Sequence, residues 1–211
     1  MVVMKLENIS KKFGEKTIFD GFSLEINQGD YVSIMGESGK GKTTLLNILG
    51  MLETPDSGTV TVCGKKNPKF LSKSTKNLRR NEISYLFQNY GLIDTDTVEE
   101  NLKLVLKYKN QSSKEKNQNI DVALKQVGLA GFQKRKIFTL SGGEQQRVAL
   151  AKIILKNPKI ILADEPTGSL DSKNRDYVLN ILKGLNKQGK TIVVVTHDTE
   201  VAKHAYSFIK L

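Results

Sequence analysis

Residues 140–147 read LSGGEQQR, and IILADE follows at 160–165 after one helix-length stretch. This pairing restricts the fold more than any other feature of the chain. Ser141 is a good helix N-cap, so Ser141-Gly142-Gly143 opens a helix over Glu144–Leu155 whose free N–H groups and positive dipole end face outward. Two consecutive glycines weaken a helix start unless something must approach the backbone closely. Ile160-Ile161-Leu162-Ala163 has the length and apolarity of a buried strand, and it delivers Asp164 and Glu165 at its carboxyl end. By themselves these carboxylates also fit a solvated turn, since Pro166-Thr167-Gly168 comes next.

A second motif decides between those readings. Residues 36–43 are GESGKGKT, a G-x-x-x-x-G-K-[ST] loop between a predicted strand, Tyr31–Met35, and a predicted helix. Gly36, Gly39 and Gly41, with Glu37, Ser38 and Lys40 between them, let backbone N–H groups converge on phosphate, and the following helix turns its positive end to the same anion. Lys42 is placed to neutralise β- and γ-phosphate charge, the Thr43 hydroxyl to bind Mg²⁺, and Thr44 to add a phosphate hydrogen bond. Beside such a loop Asp164 is suited to hold Mg²⁺, directly or through water. Glu165, one residue on, points elsewhere and suits a base that polarises attacking water.

The surrounding residues alternate strand and helix patterns. Val2–Leu6, Phe22–Ile26 and Tyr31–Met35 read as strands, parted by turns around Gly14, Gly21 and Gly29-Asp30. Thr59–Cys63 is a further strand by its β-branched alternation. From about residue 90 to 157 the chain turns Lys-, Asn- and Gln-rich with helical spacing, as in Ile120, Ala123, Leu124 and Val127. Lys109–Gln118, the most polar stretch, reads as a mobile turn between helices. Strands return at Ile160–Ala163 and Ile192–Val195, around a helix across Asn174–Leu185. The expected fold is α/β in one domain over residues 1–211. Residues 1–88 and 158–211 form a mainly parallel core sheet with an N-terminal antiparallel β part, and 89–157 an inserted α-helical subdomain.

Composition narrows the function. The net charge of +11 invites a nucleic-acid reading, but the 33 basic residues are 28 Lys and 5 Arg, spread in ones and twos without interleaved aromatics. A solvated lysine surface is the better account, and no nucleic-acid partner is expected. No apolar run approaches the roughly 20 residues that span a bilayer. MVVMKLENIS lacks the charged start and apolar core of a secretory signal, and Cys63 is the single cysteine, which together point to the cytoplasm.

With these motifs in place, the chain resembles the ATP-binding subunits of ABC transporters over nearly its whole length. The resemblance implies a P-loop NTPase of ABC ATPase type that hydrolyses ATP with Mg²⁺. It also implies a homodimer on ATP binding, in which Ser141, Gly142, Gly143 and Glu144 of one copy complete the site of the other. Ser169-Leu170-Asp171 matches the family loop that crosses the same interface, with Ser169 where Asn is frequent. His197, in VTHD, takes the position that contacts γ-phosphate, and Gln88 the position that senses Mg²⁺ and attacking water and passes closure to the membrane partner. Tyr90-Gly91-Leu92-Ile93 would expose atoms for a docking helix. Phe13, in KKFG, matches the aromatic position that stacks on adenine, and Lys40 stands where the family usually has a small residue.

The resemblance further implies a separate transmembrane permease and a peripheral location on the inner face of the cell membrane. SGGEQQRVALAKIILKNPKIILADEPTGSLD looks most like the branch serving macrolide export, lipoprotein release and bacteriocin or peptide export. The alternative is a non-transport ABC ATPase in cell division or nucleic-acid maintenance. Only 52 positions separate Gln88 from Leu140, too few for the long coiled coils of DNA-repair relatives. A phosphate-loop GTPase or kinase gives no reason for LSGGE, and residues 67–69, Asn-Pro-Lys, do not make a guanine-reading set.

Overall fold

The computed structural model describes residues 1–69 and 71–211. In chain order its elements begin with β1 (Val2–Phe13), β2 (Lys16–Asn27), β3 (Tyr31–Met35), α1 (Lys42–Leu49), β4 (Ser57–Val62), β5 (Lys65–Lys66), α2 (Lys73–Asn81) and β6 (Ile83–Leu86). They continue with α3 (Val98–Leu106), α4 (Ser113–Gln126), α5 (Gly142–Lys156), β7 (Ile160–Asp164), α6 (Ser172–Lys187), β8 (Thr191–Thr196), α7 (Thr199–Ala202) and β9 (Ser207–Lys210). Two sheets result. One is antiparallel in the order β2-β1-β4-β5, and the other is parallel throughout in the order β6-β7-β8-β3-β9.

Strand alternation sorts the parallel sheet into two buried faces. Ile160, Leu162, Val193, Val195, Val32 and Ile34 face α1 and, beyond it, Met4, Leu6, Ile9, Val60 and Val62 of the antiparallel sheet. Ile161, Ala163, Ile192 and Val194 face the opposite way, onto a helical layer formed by α3, α4, α5 and α6. Because both faces are covered, these strands read as unbroken apolar runs, as buried parallel strands do.

One turn expected from sequence is not a turn, and another is shorter than expected. Gly21 lies inside β2, in the left-handed region at φ 66°, and marks an irregularity in a single long hairpin. The hairpin reverses at residues 14–15 instead, and the register of β1 against β2 shifts at Leu6/Ile9, Ile9/Lys11 and Lys11/Lys12. Those shifts break the alternation that would have shown 12-residue strands. The polar tract Lys109–Gln118 is helical from Ser113 onward. Ser112 caps α4, its hydroxyl accepting from the Glu115 N–H while Glu115 reaches back to the Ser112 N–H. Helix α2 has no counterpart in the sequence pattern, because only Thr75 and Leu78 of its nine residues are buried.

Gly50 shows how tightly α1 is seated. It caps α1 beside Tyr85 of β6, whose hydroxyl donates to the Leu46 carbonyl at 3.0 Å. A Cβ on Gly50 would stand 1.5 Å from that hydroxyl oxygen and 2.2 Å from the ring carbon bearing it. Gly50→Ala is therefore expected to destabilise the chain by about 3 kcal/mol in urea unfolding. Tyr85→Phe does not rescue it, because the ring carbon alone is too close.

Candidate functional site

The parallel register brings three strand ends to one edge. Met35 pairs with Thr196, and Asp164 with Val195. The loop after β3, the carboxylates ending β7 and the residues after β8 thus emerge side by side, at the carboxyl edge where open α/β sheets take their ligands. They enclose a cavity of about 550 Å³. Its walls are Ser38, Gly39, Gly41, Lys42, Thr43 and Thr44 from the loop, Gln88 after β6, Asp164, Glu165, His197, and Ile18 of β2.

Gly41 is fixed by two demands. Its φ of 91° suits glycine, and an added Cβ would lie 2.4 Å from Cγ2 of Ile18. Gly41 caps α1 without any side-chain hydrogen bond, so the first N–H groups of that helix stay directed into the loop. Lys42 Nζ donates to the carbonyls of Gly36 at 2.7 Å and Glu37 at 3.0 Å. Lys40 is exposed and does not line the cavity.

On the far wall, the Thr43 hydroxyl donates to Asp164 Oδ1 at 3.3 Å. Burial holds the Asp164 carboxyl above the usual carboxylate range, against the opposing pull of the Thr43 hydrogen bond and the Lys42 charge. A hydroxyl and a carboxylate, both hard oxygen donors, fit a Mg²⁺ ion that is otherwise held by phosphate and water. No group of three or more His, Cys, Asp or Glu among the described residues could cage a metal alone.

Glu165 is more constrained. Its φ is 43°, its N–H donates to the Val195 carbonyl at 3.0 Å, and both carboxylate oxygens are engaged. Oε2 accepts from the Thr196 hydroxyl at 3.0 Å, and Oε1 from the His197 N–H at 3.0 Å, with His197 Nδ1 2.7 Å away. Thr196 and Ile18 both contribute here without having been singled out in the sequence. Thr196 stood inside the VTHD motif, whereas Ile18 gave no local signal.

The remaining candidate residues lie outside the cavity lining. Phe13 is exposed, with the Lys11 ammonium 5.0 Å from its ring centroid. Ser141 and Glu144 cap α5 reciprocally, Glu144 Oε2 accepting from the Ser141 N–H and hydroxyl at 2.8 Å each. That backbone N–H is the main reason the Glu144 carboxyl sits below its ordinary range. Helix α5 begins at Gly142, earlier than expected, and close approaches to its glycines come from within the chain. A Cβ on Gly142 would lie 2.8 Å from the Tyr90 hydroxyl, and one on Gly143 2.7 Å from the Asn174 side chain. Asn174 is itself held by Asp171, the N-cap of α6, and by Arg147 Nη1 at 2.6 Å. Tyr90 and Leu92 are packed against the core rather than exposed, while Ile93 is exposed.

A family model described as ABC transporter matches residues 19–168. The macrolide export ATP-binding/permease protein MacB of Campylobacter jejuni is 43% identical over 206 residues, which cover 98% of this chain and 32% of that protein. The chain thus spans about a third of that relative's length. The ABC transporter ATP-binding protein MJ1508 of Methanocaldococcus jannaschii is 41% identical over 99% of this chain and 95% of that one. Among solved structures, the dimeric post-hydrolysis state of the ATP-binding cassette MJ0796 bound to ADP and Pi has a TM-score of 0.90 at 41% identity. It covers 99% of this chain and 94% of that one.

Two outcomes test the site as built. Gly143→Ala is expected to cost about 1–3 kcal/mol of stability in urea unfolding, and Asn174→Ala to recover most of the loss. Asp164→Asn is expected to raise the melting temperature at neutral pH without nucleotide. The folded-state carboxyl of Asp164 titrates above its unfolded value, so its charge costs stability at high pH and that cost disappears as pH falls through the folded pKa. The stabilisation by Asp164→Asn should therefore shrink on acidification; a gap that widens would contradict the burial argument.

Proposed function

The chain belongs to the ABC transporter family, and on that premise we propose that it binds and hydrolyses ATP to drive a membrane permease. The observation carrying this reading is one cavity that gathers a phosphate loop, two strand-end carboxylates and His197. Triphosphate lies along residues 36–44, with Lys42 exchanging its two carbonyl partners for β- and γ-phosphate oxygens. A bound Mg²⁺, held by Thr43, Asp164 and Gln88, would neutralise phosphate charge. Glu165 orients the attacking water and accepts its proton, while His197 and Thr196 keep its carboxylate in place. Phe13 offers a ring face to adenine from the end of β1.

Catalysis requires a second copy. Ser141–Glu144 of one chain present a capped helix end to the γ-phosphate held by the other, with Asp171 at the same interface. A homodimer on ATP binding is supported by the dimeric form of the structural relative. Residues 1–88 and 158–211 act as the nucleotide-binding core, and 89–157 as the helical part that presents the tip. The permease is supported by the combined ATP-binding/permease character of the MacB relative. No helix among the described residues is long and apolar enough to cross a membrane. The name of the MJ1508 relative supports the ATP-binding role, and the permease proposed here is a separate chain at the inner membrane face. Export of a peptide or lipophilic cargo is the reading that fits this branch.

Glu165→Gln should keep ATP affinity within about twofold while lowering steady-state hydrolysis at least ~100-fold, and should accumulate an ATP-bound dimer in size-exclusion chromatography. Unchanged turnover in that variant would remove Glu165 from the mechanism.

A further inference from the structure

The Gln88 turn, the tip of α5 and the segment after Glu165 are far apart in sequence, yet one hydroxyl touches all three. Tyr90 stands two residues beyond Gln88, half-buried, with φ at 63°. Its hydroxyl is 3.1 Å from Ser169 Oγ and rests against Gly142, whose missing Cβ leaves the space. Left-handed backbone is unfavourable for a bulky side chain, so neighbouring contacts must hold this pose. They do: the Tyr90 N–H donates to the Phe87 carbonyl at 3.0 Å, and Lys152 of α5 donates to the Gly91 carbonyl at 2.6 Å. The Ser169 segment is joined to α5 separately, by the Gln146 amide on the Pro166 carbonyl and by Arg147 on Asn174. Neither of those bonds reaches the Gln88 turn.

We infer that the Tyr90 hydroxyl is a positioning element that ties a chain's own phosphate cavity to the surface it presents to its mate. The inference rests on the two-copy clamp proposed above. Gln88 lines the cavity of its own copy, whereas Ser141–Gly143 would meet nucleotide held by the other. A turn that shifts as nucleotide fills the cavity beside Gln88 carries Tyr90 with it, and Tyr90 bears directly on the helix tip and on Ser169. Such coupling is reciprocal, so nucleotide docked on the tip acts back on the Gln88 turn by the same factor. Phenylalanine would fill the same space, which makes the hydroxyl separable from the packing of the ring.

Hydrogen exchange without nucleotide, on the chain and its Tyr90→Phe, Ser169→Ala and doubly substituted variants, tests the tie directly. Each single variant should speed exchange about 2–10-fold across residues 88–93, 139–146 and 165–172 together, the range one ordinary hydrogen bond controls. The double variant should be no faster than either single. In ATP hydrolysis, Tyr90→Phe should lower kcat severalfold while KM and the affinity of the isolated chain for ATP stay within about twofold. Faster exchange confined to 88–93, additive effects in the double variant, or an unchanged kcat would each overturn the inference. Absence of ATP hydrolysis in the unsubstituted chain would instead sink the clamp, leaving the exchange pattern to decide whether the hydroxyl joins the three segments.

Discussion

Parallel pairing decides where each strand stops, and in this sheet the stopping points carry the chemistry. Both faces of β3, β7 and β8 are largely apolar, so a one-residue slip would cost little in hydrophobic burial yet would turn Asp164 from the cavity. Register must be pinned by something other than pattern. The pins lie at the opposite edge of the sheet, among polar groups. The Asn186 amide donates to the carbonyls of Gly29 at 2.8 Å and Lys190 at 2.9 Å, and the Thr191 hydroxyl accepts from the Gly29 N–H at 3.0 Å. Asn186 and Thr191 are both buried, so misregister would leave their polar atoms unpartnered at about 1–3 kcal/mol each. Phosphate-binding geometry at one end is thus set by amide and hydroxyl bonds at the other.

The tip of α5 follows a different logic. Its two glycines read in sequence as an invitation to an outside ligand, yet each already faces an atom of the same chain, Tyr90 at Gly142 and Asn174 at Gly143. Small residues there let the Gln88 turn and the start of α6 close onto the helix. The outward side of the tip is shaped by the same contacts, since Asn174 is drawn in by Asp171 and Arg147. The cap of α6, the Ser169–Asp171 loop and the Ser-Gly-Gly turn are consequently one assembly rather than three motifs.

Legibility in the sequence tracked how local the determining physics is. Tyr31–Met35 and Ile160–Ala163 were readable almost to the residue, because a strand buried on both faces announces itself as an apolar run. The loop from Gly36 to Thr44 was equally plain, since its glycines and lysine act on adjacent backbone. The β1–β2 hairpin was legible only in fragments: Asn8 at φ 50° breaks the alternation, and the carbonyl that this bulge displaces fits only against Gly58, some fifty positions away. Helix α2 buries too little to leave a period. The start of α4 did carry a signal, the Ser112–Glu115 capping box, obscured by its polar surroundings. Contacts such as Tyr90 with Ser169 have no local signature and appear only once the chain is folded.

Charge at the cavity is held in reserve by these same internal bonds. Lys42 already has two carbonyl partners, so an incoming phosphate competes with dipoles and replaces them by charge-assisted bonds, which are roughly twice as strong. Asp164 is disfavoured as an anion by burial, and a cation beside it would relieve that penalty, so metal and phosphate each improve the site for the other. Glu165 stands apart because its oxygens are spoken for by Thr196 and His197 rather than by a cation. Two adjacent carboxylates at one strand end therefore meet unlike surroundings. The left-handed backbone at Glu165 is what separates them, by turning the second side chain back onto β8 while the first stays on the phosphate side.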